Sequence, residues 1–483
     1  MNNILFLAAE CAPFAKVGGL ADVVGTLPSA LARIGYSVRV IIPHHGLIED
    51  ARFGIERLET FDLNWSGVRT RVKVSAASLD GASVYLLRGG PYFAPGENWV
   101  YSLDEGIDIG RFLFFAASAL RLTQRIANRH GWRPDVMHIH DWHTAMIAYL
   151  LGRVYHADGV LGQMPTVFSI HNMMYQGRGV GWHLDRAGLP AVDNPLLRAT
   201  GHTDNCLAIG IAYSTLLSTV SPSYAREITT VEGAYGLDSL MHARQSRLTG
   251  ILNGIDSVRW NPATSSVIAA RFDAQSLDRR TDNKRALQAE MGLPIQPDIP
   301  LMGTVIRLVD QKGPDILIPA LRDVLRSREA QFVLLGAGMP HYEDQVRALQ
   351  AAFPDRVAIR LGFDEALSER IYAGLDLFLM PSLFEPCGIG QMLAMRYGSL
   401  PLVRQVGGLM DTVDSRTGFL FGPFEVGALI QTIHRALDVF HHHPDRWQQM
   451  QQHAMARDFS WETSARQYAQ LYQQAIDVHH SYI

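Results

Sequence analysis

Twice along this chain, short apolar runs of strand length alternate with stretches whose apolar residues recur at helical spacing. No other feature narrows the fold as much. In the first half, residues 4–9, 37–42, 71–75, 83–87, 136–139, 165–170 and 217–220 read as strands. Between them Leu20, Val23, Val24, Leu27, Leu31 and Ile34 mark one face of a helix, and residues 109–126 and 144–154 carry the same period. Such alternation predicts a mostly parallel sheet with helices on both faces.

Near Asn253-Gly254 the pattern resets, the Asn-Gly pair reading as a turn at a boundary. Strands follow at 300–306, 331–335, 357–361 and 377–380, with helices at 315–326 and 389–397. The expectation is α/β, with one Rossmann-like domain over 1–250 and a second over 251–458. A last helix within 459–483 should cross back to brace the first domain. In doubly wound sheets ligands bind beyond the carboxyl ends of the strands, and two such edges facing each other would make a deep interdomain cleft.

At 483 residues, length alone suggests roughly three domains, though large α/β units often make it two, and 47% hydrophobic residues supply ample core. A net charge of −4 speaks against nucleic acid or a membrane surface held by bulk electrostatics and suits a neutral polymer or a small anion. Cys11, Cys206 and Cys387 are an odd, scattered set, which fits a reducing compartment. No apolar run reaches the roughly 20 residues of a membrane helix, and no leader is read at the N-terminus, so a cytoplasmic protein is expected.

Polar clusters punctuate the strand ends. In Lys16-Val17-Gly18-Gly19-Leu20-Ala21-Asp22 a glycine pair opens a helix. A diphosphate could approach its bare N–H groups, aided by the helix dipole and by Lys16 on the rim. The same residues would also serve as a plain connector with a solvated lysine. His138-Ile139-His140-Asp141-Trp142-His143 first suggests a metal. The spacing argues otherwise: His138 and His140 share a strand face, Asp141 and His143 fall beyond its end, and no helical i, i+4 histidine pair exists. Histidines packed under the sheet, or substrate contact at a strand end, remain.

Ser169-Ile170-His171-Asn172 closes the next strand, with His171 either merely hydrogen-bonded or facing a ligand. Arg307 and Lys312, before a helix beginning at Pro314, form either a diphosphate clamp or a solvated loop. In Pro381-Ser382-Leu383-Phe384-Glu385-Pro386-Cys387-Gly388, the single acid Glu385 either caps the following helix or faces a ligand.

Together these phrases resemble the glycogen synthases of bacteria and the starch synthases of plants, from Leu7 to about Gly422. The matching patterns are Lys-x-Gly-Gly-Leu-Ala-Asp-Val, His-Asp-Trp-His-x-Ala, His-Asn after a strand, Arg-Leu-x-x-Gln-Lys-Gly and Pro-Ser-x-Phe-Glu-Pro-Cys-Gly. Gly407-Gly408-Leu409, Ser221-Pro222 with Tyr224-Ala225-Arg226-Glu227, and Leu252-Asn253-Gly254-Ile255-Asp256 match as well.

The resemblance implies the GT-B architecture and transfer of glucose, with retention, from ADP-glucose to the non-reducing end of an α-1,4-glucan such as glycogen. No metal or other cofactor is implied. Lys16, Arg307 and Lys312 would hold the diphosphate, while Asp141, His171 and Glu385 position the glucose. Gly18, Gly19, Asp22, Asn172, Cys387 and Gly388 would complete the pocket. Two positions depart from the family: Gly390, where relatives carry a side chain, and Ala94, where they carry arginine; Tyr92 nearby still matches. The rivals are a UDP-glucose-using glucosyltransferase, a nucleotide-sugar epimerase or a phosphorylase of the same fold, and a catalytically weak glucan-binding homologue.

Overall fold

The structure, a computed structural model, describes residues 2–162 and 164–481. The chain forms two α/β units, one of Met1–Gly254 with Trp461–Ile483 and one of Ile255–Ser460, so it divides at those points rather than after 250 and 458. The first unit holds nine strands: β1 (Asn3–Leu7), β2 (Ser37–Pro43), β3 (Glu56–Trp65), β4 (Val68–Leu79), β5 (Ala82–Gly89), β6 (Val136–His140), β7 (Thr166–Ile170), β8 (Leu216–Thr219) and β9 (Leu248–Gly250). Their order is β3-β4-β5-β2-β1-β6-β7-β8-β9.

From β5 to β9 every neighbouring pair is parallel. Strand β1 lies in the middle, and Ile4, Phe6 and Leu7 are wholly buried, as a strand covered on both faces requires. The antiparallel ribbon of β3, β4 and β5 departs from the expectation. Strand β3 escapes the sequence pattern because charges interrupt both of its faces, Glu59 on the face that carries buried Phe61 and Trp65 and Asp62 on the other. Glu59 pairs with Arg125 and Arg129 of the helix Glu105–His130, and Asp62 pairs with Arg69 and Arg71 of β4.

The helix Trp461–His480 belongs to this first unit. Its Trp461, Ala465, Tyr468, Leu471, Tyr472 and Ala475 recur at helical spacing and enter the same core as Phe6, Val24, Leu27 and Leu31. Where it re-enters, a Cβ on Gly254 would lie 2.7 Å from the backbone of Trp461. Gly254 therefore serves close backbone approach and not the Asn-Gly turn read from the sequence. Beneath the sheet, Tyr472 Oη meets His138 Nδ1 at 2.8 Å, and His138 Nε2 meets Ser169 Oγ at 2.7 Å.

The second unit has six strands, β10 (Leu301–Leu308), β11 (Gln331–Gly338), β12 (Val357–Leu361), β13 (Leu377–Met380), β14 (Leu400–Arg404) and β15 (Phe419–Phe421). They run in the order β12-β11-β10-β13-β14-β15, and all pairs are parallel. Along the parallel strands of each sheet the order reverses once, between β1 and β6 in the first unit and between β10 and β13 in the second. Loops leaving two such strands diverge to opposite faces and open a crevice at their carboxyl ends.

Replacing Tyr472 with Phe keeps the packing but leaves a ring nitrogen of buried His138 without its partner. The expected cost is about 1–3 kcal/mol, read as a lower urea midpoint for the first unit. An unchanged midpoint would mean that the hydroxyl contributes nothing there.

Candidate active site

At the first unit's reversal point, the loop after β1 carries Glu10 to Gly18, and β6 runs directly into the helix Asp141–Arg153. Glu10 is a carboxylate the sequence reading passed over, although it ends an otherwise apolar run. It is buried and accepts from Val17 N at 2.6 Å, Gly18 N at 3.2 Å and Tyr101 Oη at 2.8 Å. The N–H groups of Val17 and Gly18, expected bare, are thus occupied, and burial raises the pKa of Glu10. The helix Gly19–Arg33 begins at the second glycine, with no side chain capping it.

A Cβ at Gly19 would meet nothing within 4 Å, and one at Gly18 would come no closer than 3.9 Å to Glu10 Oε1. Neither glycine has a left-handed φ, so neither packing nor backbone strain demands glycine there. The space left open suits a ligand. Lys16 sits on the rim, 2.6 Å from Asp22, in a pair exposed enough to be worth about 1 kcal/mol or less. Separating Lys16 from Asp22 would therefore cost little.

Asp141 opens its helix at φ +54°, a left-handed conformation unusual for a residue with a side chain. The strain aims its carboxylate at the end of β7, where Oδ1 accepts from His171 N at 2.7 Å. Burial pushes its pKa up to about 7; the backbone N–H groups of His171 and Asn172 work against that shift, and Glu10 adds to it. His171 meets His140 at 3.0 Å between ring nitrogens and is held neutral, its pKa lowered by burial to about 4. Asn172 turns its Oδ1 back to Met174 N.

The rest of the histidine cluster does not join this site. His138 faces Tyr472 and Ser169, and His143 packs among Trp142, Tyr101 and Phe112. Among the described residues, no three His, Cys, Asp or Glu side chains are grouped to hold a metal ion. Alongside, the loop holding Tyr92 and Ala94 is pinned by buried Arg111, which donates to Tyr92 O and Val100 O and stacks on Trp99.

At the second unit's reversal point, the loop after β10 carries Lys312 and the loop after β13 carries Glu385. Lys312 Nζ lies 2.5 Å from Glu385 Oε2, and Ser382 Oγ donates to the same oxygen at 3.1 Å. Both charged groups are largely buried, at 15% and 7% exposure. Backbone contacts tie the loops together: Leu383 N donates to Gln311 O, and Gln311 Nε2 to Phe384 O. Gly313, at φ +74°, lets the Lys312 loop pass against Pro381, whose carbonyl would lie 2.1 Å from a Cβ. Arg307 ends β10 exposed to solvent.

Glu385 does not cap the following helix. That helix runs Gly390–Arg396, starts after Ile389 and has no side-chain cap. Cys387 and Gly388 precede it in a loop held by Gln391, whose amide donates to Cys387 O and Gly388 O. The helix therefore begins two residues later than Gly388, and Gly390 faces inward. A Cβ there would sit 3.1 Å from the Phe378 ring and 3.6 Å from Tyr372 Oη. Gly390 accommodates core packing instead of lining a phosphate pocket.

Comparison with known proteins follows this geometry. Residues 3–243 match the family model of the starch synthase catalytic domain, and residues 299–438 that of glycosyl transferases group 1. A glycogen synthase of Streptococcus gordonii is 41% identical over 487 residues, covering 98% of this chain and 100% of that protein. One from Streptococcus agalactiae is 42% identical over 494 residues, covering 98% and 99%.

The catalytic domain of starch synthase IV from Arabidopsis thaliana, solved bound to ADP and acarbose, aligns with a TM-score of 0.88 at 34% identity over 99% of both chains. A sucrose-phosphate synthase from Thermosynechococcus elongatus aligns at 0.60 with 17% identity over 98% of this chain and 99% of that one, a likeness of fold. The GT-B, two-unit α/β architecture expected from the sequence is the one these structures share. No helix among the described residues is long and apolar enough to cross a membrane.

Asp141 yields a signed prediction. Its carboxyl titrates near 7 when folded, against about 3.9 when unfolded. Between those values the folded chain holds a proton that the unfolded chain has released, so wild type loses stability relative to Asp141→Asn as pH rises from about 4 to 7. Urea midpoints of both proteins across that range should diverge in that direction. A constant difference would mean that Asp141 titrates normally.

Proposed function

The chain belongs to the glycogen and starch synthase family of glycosyltransferases, and from that premise we propose that it transfers glucose from ADP-glucose to the non-reducing 4-hydroxyl of an α-1,4-glucan, keeping the α configuration. The observation that carries this reading is the Lys312–Glu385 pair at the second unit's reversal point. A diphosphate competes for Lys312. Once it takes the lysine, the Glu385 carboxylate is released beside a sugar that gains positive charge as its bond to phosphate breaks.

The chemistry balances without a second acid. The C1–O bond to the diphosphate breaks, the bond from C1 to the acceptor O4 forms, and the O4 proton passes to the departing diphosphate on the same face. Retention by this route needs no pair of carboxylates of the glycosidase kind. Lys16, Arg307 and Lys312 are proposed to hold the leaving diphosphate, a role for fixed cations that strengthens as charge develops. Asp141, His171 and Asn172 are proposed to receive the glucose. With protein cations neutralising the diphosphate, the proposed reaction calls for no metal and no organic cofactor. The free cysteines, all buried, suit work in a reducing compartment such as the cytoplasm.

The deciding experiment measures nucleotide release from ADP-glucose and from UDP-glucose, each with and without glycogen. Glycogen-dependent release of ADP well above that of UDP is expected. Glucan binding without release from either donor would identify a catalytically idle binder, and faster UDP release would reassign the donor.

Glu385→Gln tests the pair itself. Turnover should fall by about a hundredfold or more, the scale of a lost charge-stabilising group. The unpaired Lys312 should also cost about 1–3 kcal/mol in the ligand-free protein, and ADP should restore much of that loss in a thermal melt because its phosphates replace the missing charge. Normal turnover in the variant would remove Glu385 from the mechanism.

A further inference from the structure

His140 has no part in the reading above, yet its ring meets the ring of His171. It ends β6, and His171 directly follows the adjacent strand β7. Its backbone is clamped: His140 N donates to Thr144 Oγ1 at 2.7 Å, and the same hydroxyl donates to His140 O at 2.8 Å. Its ring is wholly buried, stacked on Phe6 and lying against His138 at 4.1 Å between centroids. One nitrogen, Nδ1, lies 3.0 Å from His171 Nε2, while the other, Nε2, is buried with no hydrogen-bond partner among the described residues.

The two rings share one proton across that contact, and the orphaned nitrogen decides which ring owns it. Burial keeps both imidazoles neutral, so each carries a single N–H. If His171 donated from Nε2, His140 would have to carry its own proton on Nε2, as a buried N–H with no acceptor. Orphaned buried donors are rarer than under-used acceptors. If His140 donates from Nδ1, its Nε2 is only a bare lone pair, and no N–H is stranded.

We propose that His140 is a positioning residue that donates from Nδ1 and so holds His171 as the tautomer protonated on its own Nδ1. His171 then offers a fixed N–H on the side away from His140, while the Asp141 carboxyl, anchored to the backbone of His171, supplies an acceptor at the same strand end. A sugar hydroxyl both donates and accepts, so a donor beside an acceptor orients it where two acceptors would not. The effect on turnover rests on the reading that His171 and Asp141 receive the glucose; the tautomer does not.

The test separates the two. In the full chain labelled with 15N-histidine, long-range 1H–15N correlations identify each ring's tautomer, with the His171 signals recognised by their absence in His171→Gln. The expected result is Nδ1–H at His171; Nε2–H there would overturn the proposal. Kinetics supply the second readout. His140→Leu fills the site without a donor and should lower kcat by about tenfold or more, with the glycogen KM and melting temperature near wild type. His140→Asn, able to place an amide N–H near Nδ1, should recover most of the turnover. Unchanged kcat in His140→Leu alongside a clear loss in His171→Gln would also overturn the proposal. Normal turnover in His171→Gln would instead refute the glucose contact, and the tautomer would stand or fall on the spectrum alone.

Discussion

Along the parallel strands of each sheet the order reverses once, and the location of the polar cluster in each unit follows from that constraint. Parallel strands send all their loops out at one edge, and right-handed crossovers carry successive loops to one face until the order reverses. At the reversal two neighbouring loops part. In the first unit the parting loops belong to β1 and β6, which bring the glycine loop and Asp141. In the second they belong to β10 and β13, which bring Lys312 and Glu385. The same grammar, written twice, places charged groups where two neighbouring loops part.

Much of this was legible from the residues because central strands are continuous apolar runs, and their ends are where polar motifs stand out. Residues 4–9, 136–139 and 377–380 announce themselves in this way. Less legible was anything set by partners distant in sequence. Glu59 interrupts the apolar face of β3 because it answers arginines on a helix more than sixty residues away, so the alternation is masked. Glu10 looks like an interruption of a strand until its carboxylate is seen holding Val17, Gly18 and Tyr101. Gly254 resembles a turn residue, but its neighbour is Trp461. The six-residue cluster from His138 to His143 looks like one site, whereas strand alternation and the following helix send its members into different surroundings. Motif spacing shows which residues leave a strand together, not which way each side chain then turns.

The first unit's site is held in an unfavourable state by the packing around it. Asp141 sits at a left-handed φ with its carboxyl pushed toward neutrality, and Glu10 nearby is raised as well. Such strain persists only where surrounding structure over-determines it. Here the supports are Thr144, which clamps the residue before Asp141, the backbone N–H of His171, and β6 itself, pinned below by His138 to the C-terminal helix. The helix Trp461–His480 thus does more than close a core. It fixes the strand from which Asp141 projects, so a segment far from the site in sequence helps set the site's geometry.

The strand-end clusters of the two units differ in how they treat charge. In the second unit a cation and an acid neutralise each other in the free protein, an arrangement that keeps both partly buried groups tolerable until an anion separates them. Among the described residues of the first unit no cation pairs with Glu10 or Asp141 at close range. Backbone N–H groups and a tyrosine hydroxyl satisfy Glu10, and backbone N–H groups satisfy Asp141. Neutral donors of this kind hold a carboxylate in place without quenching its capacity to accept from hydroxyl groups. A diphosphate needs countercharge, and a sugar needs directed hydrogen bonds. On the proposed reading, the Lys312–Glu385 pair of the second unit answers the first need and the strand ends of the first unit answer the other.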